Sequence, residues 1–396
     1  MTVVAERMAH VRSAAFQFLV PSGVVRDPAD RPGTAVLLAD MMTRGAGDRD
    51  SRALSERLDS LGLDRGENAG SVNISLSGST LARNLSAVFD VYADILMRPH
   101  LPADELESAQ ALAIQDIQGL EDEPQARCMV ELRKRWYPAP LNRDTRGTIE
   151  GINAVTIDQL RAHHAEQFQP TGVIVSVAGD IQFDSLFDGL EARFADWKPA
   201  ARTPVTSSSP APRNEHLTKV IEQTQLSMAF PSVSMSDPDF FQAIGAVGVL
   251  SSDMSARLFT EVREKHGLCY SVYAWHEKFQ DRGSIMGFAA ARPEKAKETL
   301  ERTIHEFHRL REGITVDEVD RIRVGLKASM ILRQESTSAR AGALSSDWFF
   351  LERVRSLEEI QSCIDALTPE SILGYLERHP LGEPTVVTLG PGETVG

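Results

Sequence analysis

Apolar positions in this chain of 396 residues run through the same succession of periods twice. Alternating or continuous apolar runs predict strands at Val11–Val20, Ser71–Ser77 and Val173–Ala178, then again at Lys219–Phe230, Ser284–Ala291 and Thr385–Leu389. A buried helix follows the opening strand of each half, and a second helix stops at Gly62 or Gly267. Long amphipathic helices come later. Leu106, Ala109, Ala113, Ile117 and Leu120 share one helical face, and so do Ala296, Leu300, Ile304 and Phe307.

The residues repeat as well as the periods. Pro21, Asp27 and Pro28 (LVPSGVVRDPAD, 19–30) recur as Pro231, Asp237 and Pro238 (AFPSVSMSDPDF, 229–240). LPADELE (101–107) answers to ITVDEVD (314–320), VTIDQLRAHH (155–164) to LTPESILGYL (367–376), and PTGVIVSVAGD (170–180) to PTVVTLGPGE (384–393). The four pairs keep one order. They predict an α+β chain of two tandem homologous domains, each a mainly antiparallel sheet with helices packed on one face. The domains read as 1–197 and 217–396, joined by the Pro- and Ser-rich linker 198–216 (KPAARTPVTSSSPAPRNEH).

Composition narrows the function classes. The chain is 42% hydrophobic and 25% charged, with a net charge of −14 and no basic run, which excludes a nucleic-acid partner and an anionic membrane surface. No apolar stretch is long enough to span a bilayer. The N-terminus lacks the pattern of a secretory leader. Cys128, Cys269 and Cys363 make an odd count without metal-like spacing, which suits a reducing compartment. The expected location is cytoplasmic, and a periplasmic one requires a leader trimmed from this sequence.

Candidate chemistry centres on RLFTEVREKHGLCYSV (257–272). Arg263 near a helix end and Tyr270 at a strand start bring a guanidinium and a phenol together. Both are donors suited to a peptide carbonyl or the oxyanion formed from it. Other candidates read as framework. His163 and His164 are neighbours on a helix and point about 100° apart. His305 and His308 of HEFH (305–308) fall on a solvated face. Cys269 reads as a small buried thiol with no His–Asp/Asn arrangement beside it. SVAGD and LGPGE lack the lysine of a phosphate loop, and Glu121–Glu123 reads as a helix end.

Taken together, these segments resemble the pitrilysin or insulinase family of zinc peptidases, above all its short two-domain subunits akin to mitochondrial processing peptidases. The resemblance covers nearly the whole chain. GTAVLLADMMTRG (33–45) is similar to the family helix bearing the inverted zinc motif H-x-x-E-H. Here the motif's positions hold Val36, Ala39 and Asp40, and Asp116 stands where the family has its glutamate ligand about 76 residues on. Valine and alanine cannot ligate, and a lone carboxylate does not hold zinc. The family's substrate-gripping Arg/Tyr pair, by contrast, matches Arg263 and Tyr270.

The resemblance therefore implies a chain that binds no zinc itself and supplies half of an active site. The implied partner is a homologous subunit with an intact H-x-x-E-H, which contributes zinc and the general base in a heterodimer. Bacterial members of the family are similar to this in paired form. Unfolded peptides are the implied substrates. Two alternatives stand beside this reading: a structural subunit of an assembly without peptidase activity, and a peptide-binding homodimer of the isolated chain.

Overall fold

The computed structural model describes residues 1–208, 214–392 and 394. Positions 209–213 of the expected linker, and Glu393 of the closing turn, lie outside the described residues. In the first half the elements run β1 (Thr2–Arg7), β2 (Ser13–Val20), α1 (Thr34–Met41), a short hairpin β3 (Gly45–Ala46) and β4 (Arg49–Asp50), and α2 (Ser51–Ser60). Next come β5 (Asp64–Ala69), β6 (Ile74–Leu81), α3 (Leu85–Met97), α4 (Leu106–Gly119) and α5 (Pro124–Trp136). This half ends with α6 (Ile149–Ala154), α7 (Ile157–Gln167), β7 (Ile174–Gly179) and α8 (Phe183–Phe194).

The second half opens with β8 (Glu215–Thr218), β9 (Thr224–Ser232), α9 (Phe240–Ser251) and a π-helix (Leu258–Lys265). After it come β10 (Cys269–Lys278), β11 (Gly283–Ala291), α10 (Ala296–Arg309), α11 (Val316–Gln334) and α12 (Thr337–Leu351). The last elements are α13 (Leu357–Asp365), α14 (Pro369–Arg378) and β12 (Thr385–Gly390).

The duplication read from the residues is also a duplication of topology. One sheet has the order β1-β7-β2-β6-β5 and the other β8-β12-β9-β11-β10, so each strand has a counterpart at the same place. In both sheets one edge strand pairs parallel with its neighbour, Thr2 opposite Ile174 and Glu215 opposite Val387. The remaining pairings are antiparallel. The Asp-Pro repeat has a local cause. Buried Asp27 accepts from the backbone N–H of Gly33 at 2.7 Å and of Ala35 at 2.8 Å, which caps the start of α1. Asp237 accepts from Asp239 N–H at 2.8 Å just before α9. Thr156 and Thr368 form matching capping boxes on α7 and α14.

Strand alternation sorts the side chains. In β2, Phe16, Phe18 and Val20 point into a core with Leu76, Phe89 and Tyr92, where the Phe16 and Tyr92 rings meet edge to face at 4.7 Å. Ala15 and Leu19 point the other way, into a cluster with Ala341, Leu344 and Trp348 of α12. The opposite face of the second sheet is covered in the same manner by α5. Cys128 lies against Ser227 Oγ at 3.2 Å, and Trp136 Nε1 donates to Ser284 Oγ at 2.6 Å.

The compact units therefore depart from a plain division into 1–197 and 217–396. One unit gathers Met1–Leu120, Pro138–Ser209 and Arg333–Phe349; the other gathers Glu121–Tyr137, Pro210–Leu332 and Phe350–Gly396. Each half of the chain lends one helix to the other half's sheet. The physical reason is that both faces of each sheet are apolar, and the repeat's own helices cover only one.

Boundaries moved where turn chemistry intervened. The strand expected over 219–230 breaks, because residues 219–223 turn between β8 and β9. The strand expected over 71–77 begins only at Ile74 and runs on to Leu81. Among the described residues no helix is long and apolar enough to cross a membrane.

Burial also sets an acid limit on the first unit. Desolvation is the main force pushing both His163 and His164 down to about 4, although Leu96 O binds His164 Nε2 at 3.0 Å. These folded values lie below the unfolded value of about 6.5, so the unfolded chain takes up protons first as pH falls. Stability present above pH about 6.5 should be lost toward pH 4, by on the order of 3 kcal/mol per imidazole. Urea titrations at stepped pH measure this, and His163→Gln should make the acid slope shallower. A flat profile between neutral pH and pH about 4.5 would contradict it.

Candidate functional site

Arg263 and Tyr270 come together in the second unit, by means the residue spacing does not reveal. Residues 258–265 form a π-helix rather than the α-helix expected before Gly267. Gly267 then adopts φ +57°, its N–H closing on Arg263 O at 3.1 Å, and the chain turns directly into β10. Cys269 pairs with Ala291 and Ser271 with Ala290, so Tyr270 is the extra residue of a β-bulge on the edge strand of its sheet. The bulge turns the phenol outward, leaving it 72% exposed.

The guanidinium of Arg263 lies 4.5 Å from the centre of the Tyr270 ring and 4.6 Å from that of Phe259, one turn earlier. Its Nη1 donates to Tyr270 O at 2.9 Å. Its other N–H groups, like the Tyr270 hydroxyl, have no partner among the described residues. Two aromatic faces and one carbonyl thus hold a planar donor in place while part of its fork stays open. Phe259 was not among the expected site residues; the spacing F-x-x-x-R, one turn on a helix, was the available signal.

The base of the π-helix is tied down. Arg257 grips Glu318 through Nε at 2.7 Å and Nη2 at 3.0 Å, and Nη2 also donates to Gly313 O at 2.7 Å. Burial would raise the Glu318 carboxyl, but hydrogen bonds from Arg257 and Thr315 outweigh it and hold the group at about 2. Cys269, beside the pair, is half-buried, and burial pushes its thiol up to about 11, so it is protonated near neutral pH.

In the first unit α1 carries the positions matched to the zinc motif, and α4 packs against it. Val36 is half-buried and Ala39 is buried, and neither side chain has a donor atom. The carboxylate of Asp40 is held by Arg44, with Nε and Nη2 each 2.9 Å from Oδ2. Arg44 reaches on to Glu105 at 3.2 Å and Ser108 at 2.8 Å. Asp116 faces Arg146 at 3.3 Å. A guanidinium therefore pairs with each carboxylate at the metal-ligand positions. The i,i+4 spacing of Asp40 and Arg44 was legible in the sequence.

The remaining candidates land on the framework. His163 is buried and His164 half-buried, and His164 stacks on Phe168 at 4.9 Å. His305 is exposed as expected. His308 departs from the solvated face assigned to it, because its ring meets the edge of Phe230 at 6.0 Å. Among the described residues one group of three has cation-binding geometry: Asp237, Asp239 and His379, with ligand atoms within 4.8 Å of one another. Arg378 already takes both oxygens of Asp239, at 2.7 and 2.8 Å.

Comparison with known proteins follows the same framework. Residues 2–149 match the model of the insulinase family (peptidase family M16), and residues 154–326 match that of the peptidase M16 inactive domain. The chain is similar to the uncharacterized zinc protease YmxG of Bacillus subtilis, at 27% identity over 94% of this chain and 91% of the relative. It is also similar to an uncharacterized zinc protease of Streptomyces coelicolor, at 25% identity over 99% and 88%. The crystal structure of a peptidase M16 inactive domain from Pseudomonas fluorescens superposes with a TM-score of 0.89 at 24% identity, covering 100% of this chain and 96% of that one. A protease from Helicobacter pylori superposes with a TM-score of 0.90 at 17% identity, covering 98% and 96%.

The tie beneath the π-helix predicts a stability effect. Arg257 and Glu318 are 11% and 15% exposed, so Arg257→Ala leaves a largely desolvated carboxylate. It should cost about 3 kcal/mol in urea unfolding. A change below about 1 kcal/mol would place the pair with ordinary surface ion pairs.

Proposed function

The chain belongs to peptidase family M16, the insulinase family, through both of its halves, and on that premise we propose that it is the zinc-free, substrate-binding subunit of a heterodimeric metalloendopeptidase. One observation carries the reading: a pre-oriented Arg/Tyr donor pair stands open to solvent on a chain whose zinc-motif positions are Val36, Ala39 and Asp40.

A partner with an intact H-x-x-E-H would supply zinc and the general base, which together provide an activated water. This chain's part is binding and orientation. The open N–H groups of Arg263 and the hydroxyl of Tyr270 donate to the carbonyl oxygen of an extended, unfolded peptide. They hold it in line and stabilise the negative charge that grows there. Stacking on Phe259 and Tyr270 keeps the guanidinium from collapsing onto solvent, so little reorganisation accompanies the reaction. The zinc-motif positions do not fit a metal on this chain, since two lack donor atoms and the third is neutralised by Arg44. Three free thiols accord with a reducing, cytoplasmic setting.

The test mixes this chain with a purified H-x-x-E-H homologue and a quenched peptide. Activity should require both, and zinc-dependent cleavage by this chain alone would overturn the proposal. In the mixture Tyr270→Phe should reduce turnover by about a hundredfold with assembly unchanged. Wild-type turnover would remove Tyr270 from the mechanism. Metal analysis of the dialysed chain should find no stoichiometric zinc, whether or not Asp40 is replaced by Ala.

A further inference from the structure

The first unit contains a cavity of about 460 Å³, far from small, whose walls do not include α1. It lies between α7, the turn after β2, the 138–143 loop and a strap formed by residues 203–208. The strap is fastened at both ends. Arg26 Nη1 donates to Thr203 O at 2.8 Å, and Ser208 N–H donates to Ala139 O at 2.9 Å.

Charge is unusual here for a chain of net −14. Arg26 and Arg143 line the cavity, and Arg202 stands close by with Nη2 on Gln167 O at 2.8 Å. All three donate to backbone carbonyls, and among the described residues none has a carboxylate within 4.0 Å. Burial lowers the guanidinium pKa of Arg26 and Arg202; the charge of Glu166 partly offsets this at Arg26, and the charge of Arg26 lowers that of Arg202 further. The one acid on the wall, Glu166, already accepts from Thr203 Oγ1 at 3.3 Å.

Two buried side chains on the wall also lack partners. His163 and Gln167 are 6% and 3% exposed, and His163 Nε2 and Gln167 Oε1 make no hydrogen bond. Leaving buried polar atoms unmet is costly unless something else fills the role. His163 stays neutral near pH 7, so it serves as a hydrogen-bonding group rather than a further cation. The rest of the wall is apolar, with Val25, Pro28, Pro140 and Val205.

We propose that this cavity binds a small organic anion, with a carboxylate or phosphate head on Arg26 and Arg143 and an apolar body against Val25 and Val205. Its volume falls within the range of small-molecule sites, roughly 300–1,000 Å³, and is many times that of a water, about 30 Å³. A bare inorganic ion would leave most of it unfilled. The proposal is independent of the Arg263–Tyr270 reading and needs no partner chain.

Calorimetric titration of the full chain tests it with four probes: N-acetyl-leucine, its primary amide, n-butyl phosphate and inorganic phosphate. N-acetyl-leucine or n-butyl phosphate should bind with a Kd below about 1 mM, and whichever binds tighter identifies the head group. The amide should bind at least about tenfold more weakly than the acid. Arg26→Ala should weaken the preferred probe by about tenfold, and Val205→Trp, which fills the cavity mouth, should abolish it. Arg26 is chosen over Arg143 because Arg143 also ties Val24 O and Asp27 O. Any one of three results overturns the proposal: no binding by any probe at roughly 10 mM, inorganic phosphate matching the organic anions, or unchanged affinity in both variants.

Discussion

Each five-stranded sheet in this protein has two apolar faces, and the helices of its own repeat cover only one. The uncovered face is closed by a helix from the other half of the chain, α5 on the second sheet and α12 on the first. The contacts are specific as well as apolar. Arg340 of α12 forms an ion pair with Glu6 of β1, and Arg133 of α5 reaches Glu277 of β10 at 2.6 Å. Neither half can bury both faces of its sheet by itself. The burial that stabilises each unit therefore depends on the chain passing from one half to the other and back, at the ends of α4 and α11.

On this shared framework the two repeats have diverged in chemistry without diverging in topology. The segment after the Asp-Pro cap is a short α-helix in the first half, where Val36, Ala39 and Asp40 stand. Its charged end is neutralised by Arg44, which also bridges to Glu105, just before α4, and to Ser108 in its first turn. Both carboxylates at the metal-ligand positions are thus members of ion pairs, Asp40 with Arg44 and Asp116 with Arg146. In the second half the extra width of a π-helix and a one-residue bulge bring Phe259, Arg263 and Tyr270 into contact. Both are local departures from regular hydrogen bonding, supported from below by the Arg257–Glu318 pair.

Much of the framework could be read in the residues. The repeated Asp-Pro, the alternating strands and the glycines at Gly62 and Gly267 act through neighbours a few positions away, and the structure places them accordingly. Arg263 and Tyr270 were legible as a pair because a helix stop and a strand start separate them by a single turn. Phe259 and Arg44 were legible only as i,i+4 neighbours whose role depends on which way the helix faces.

The sequence by itself determined the duplication, the order of elements in each half and the absence of metal-donating side chains at Val36 and Ala39. Those are properties of residue type and spacing. Only the tertiary structure decided which half each helix serves, that residues 258–265 widen into a π-helix, and that Tyr270 bulges outward beside Arg263. It also decided that Arg26 and Arg143 line one cavity with Arg202 close by, and that among the described residues none of the three has a carboxylate within 4.0 Å. The reason is physical. Helix exchange, bulges and convergent charge arise between residues far apart in the chain, and are selected by packing energies that no local period encodes.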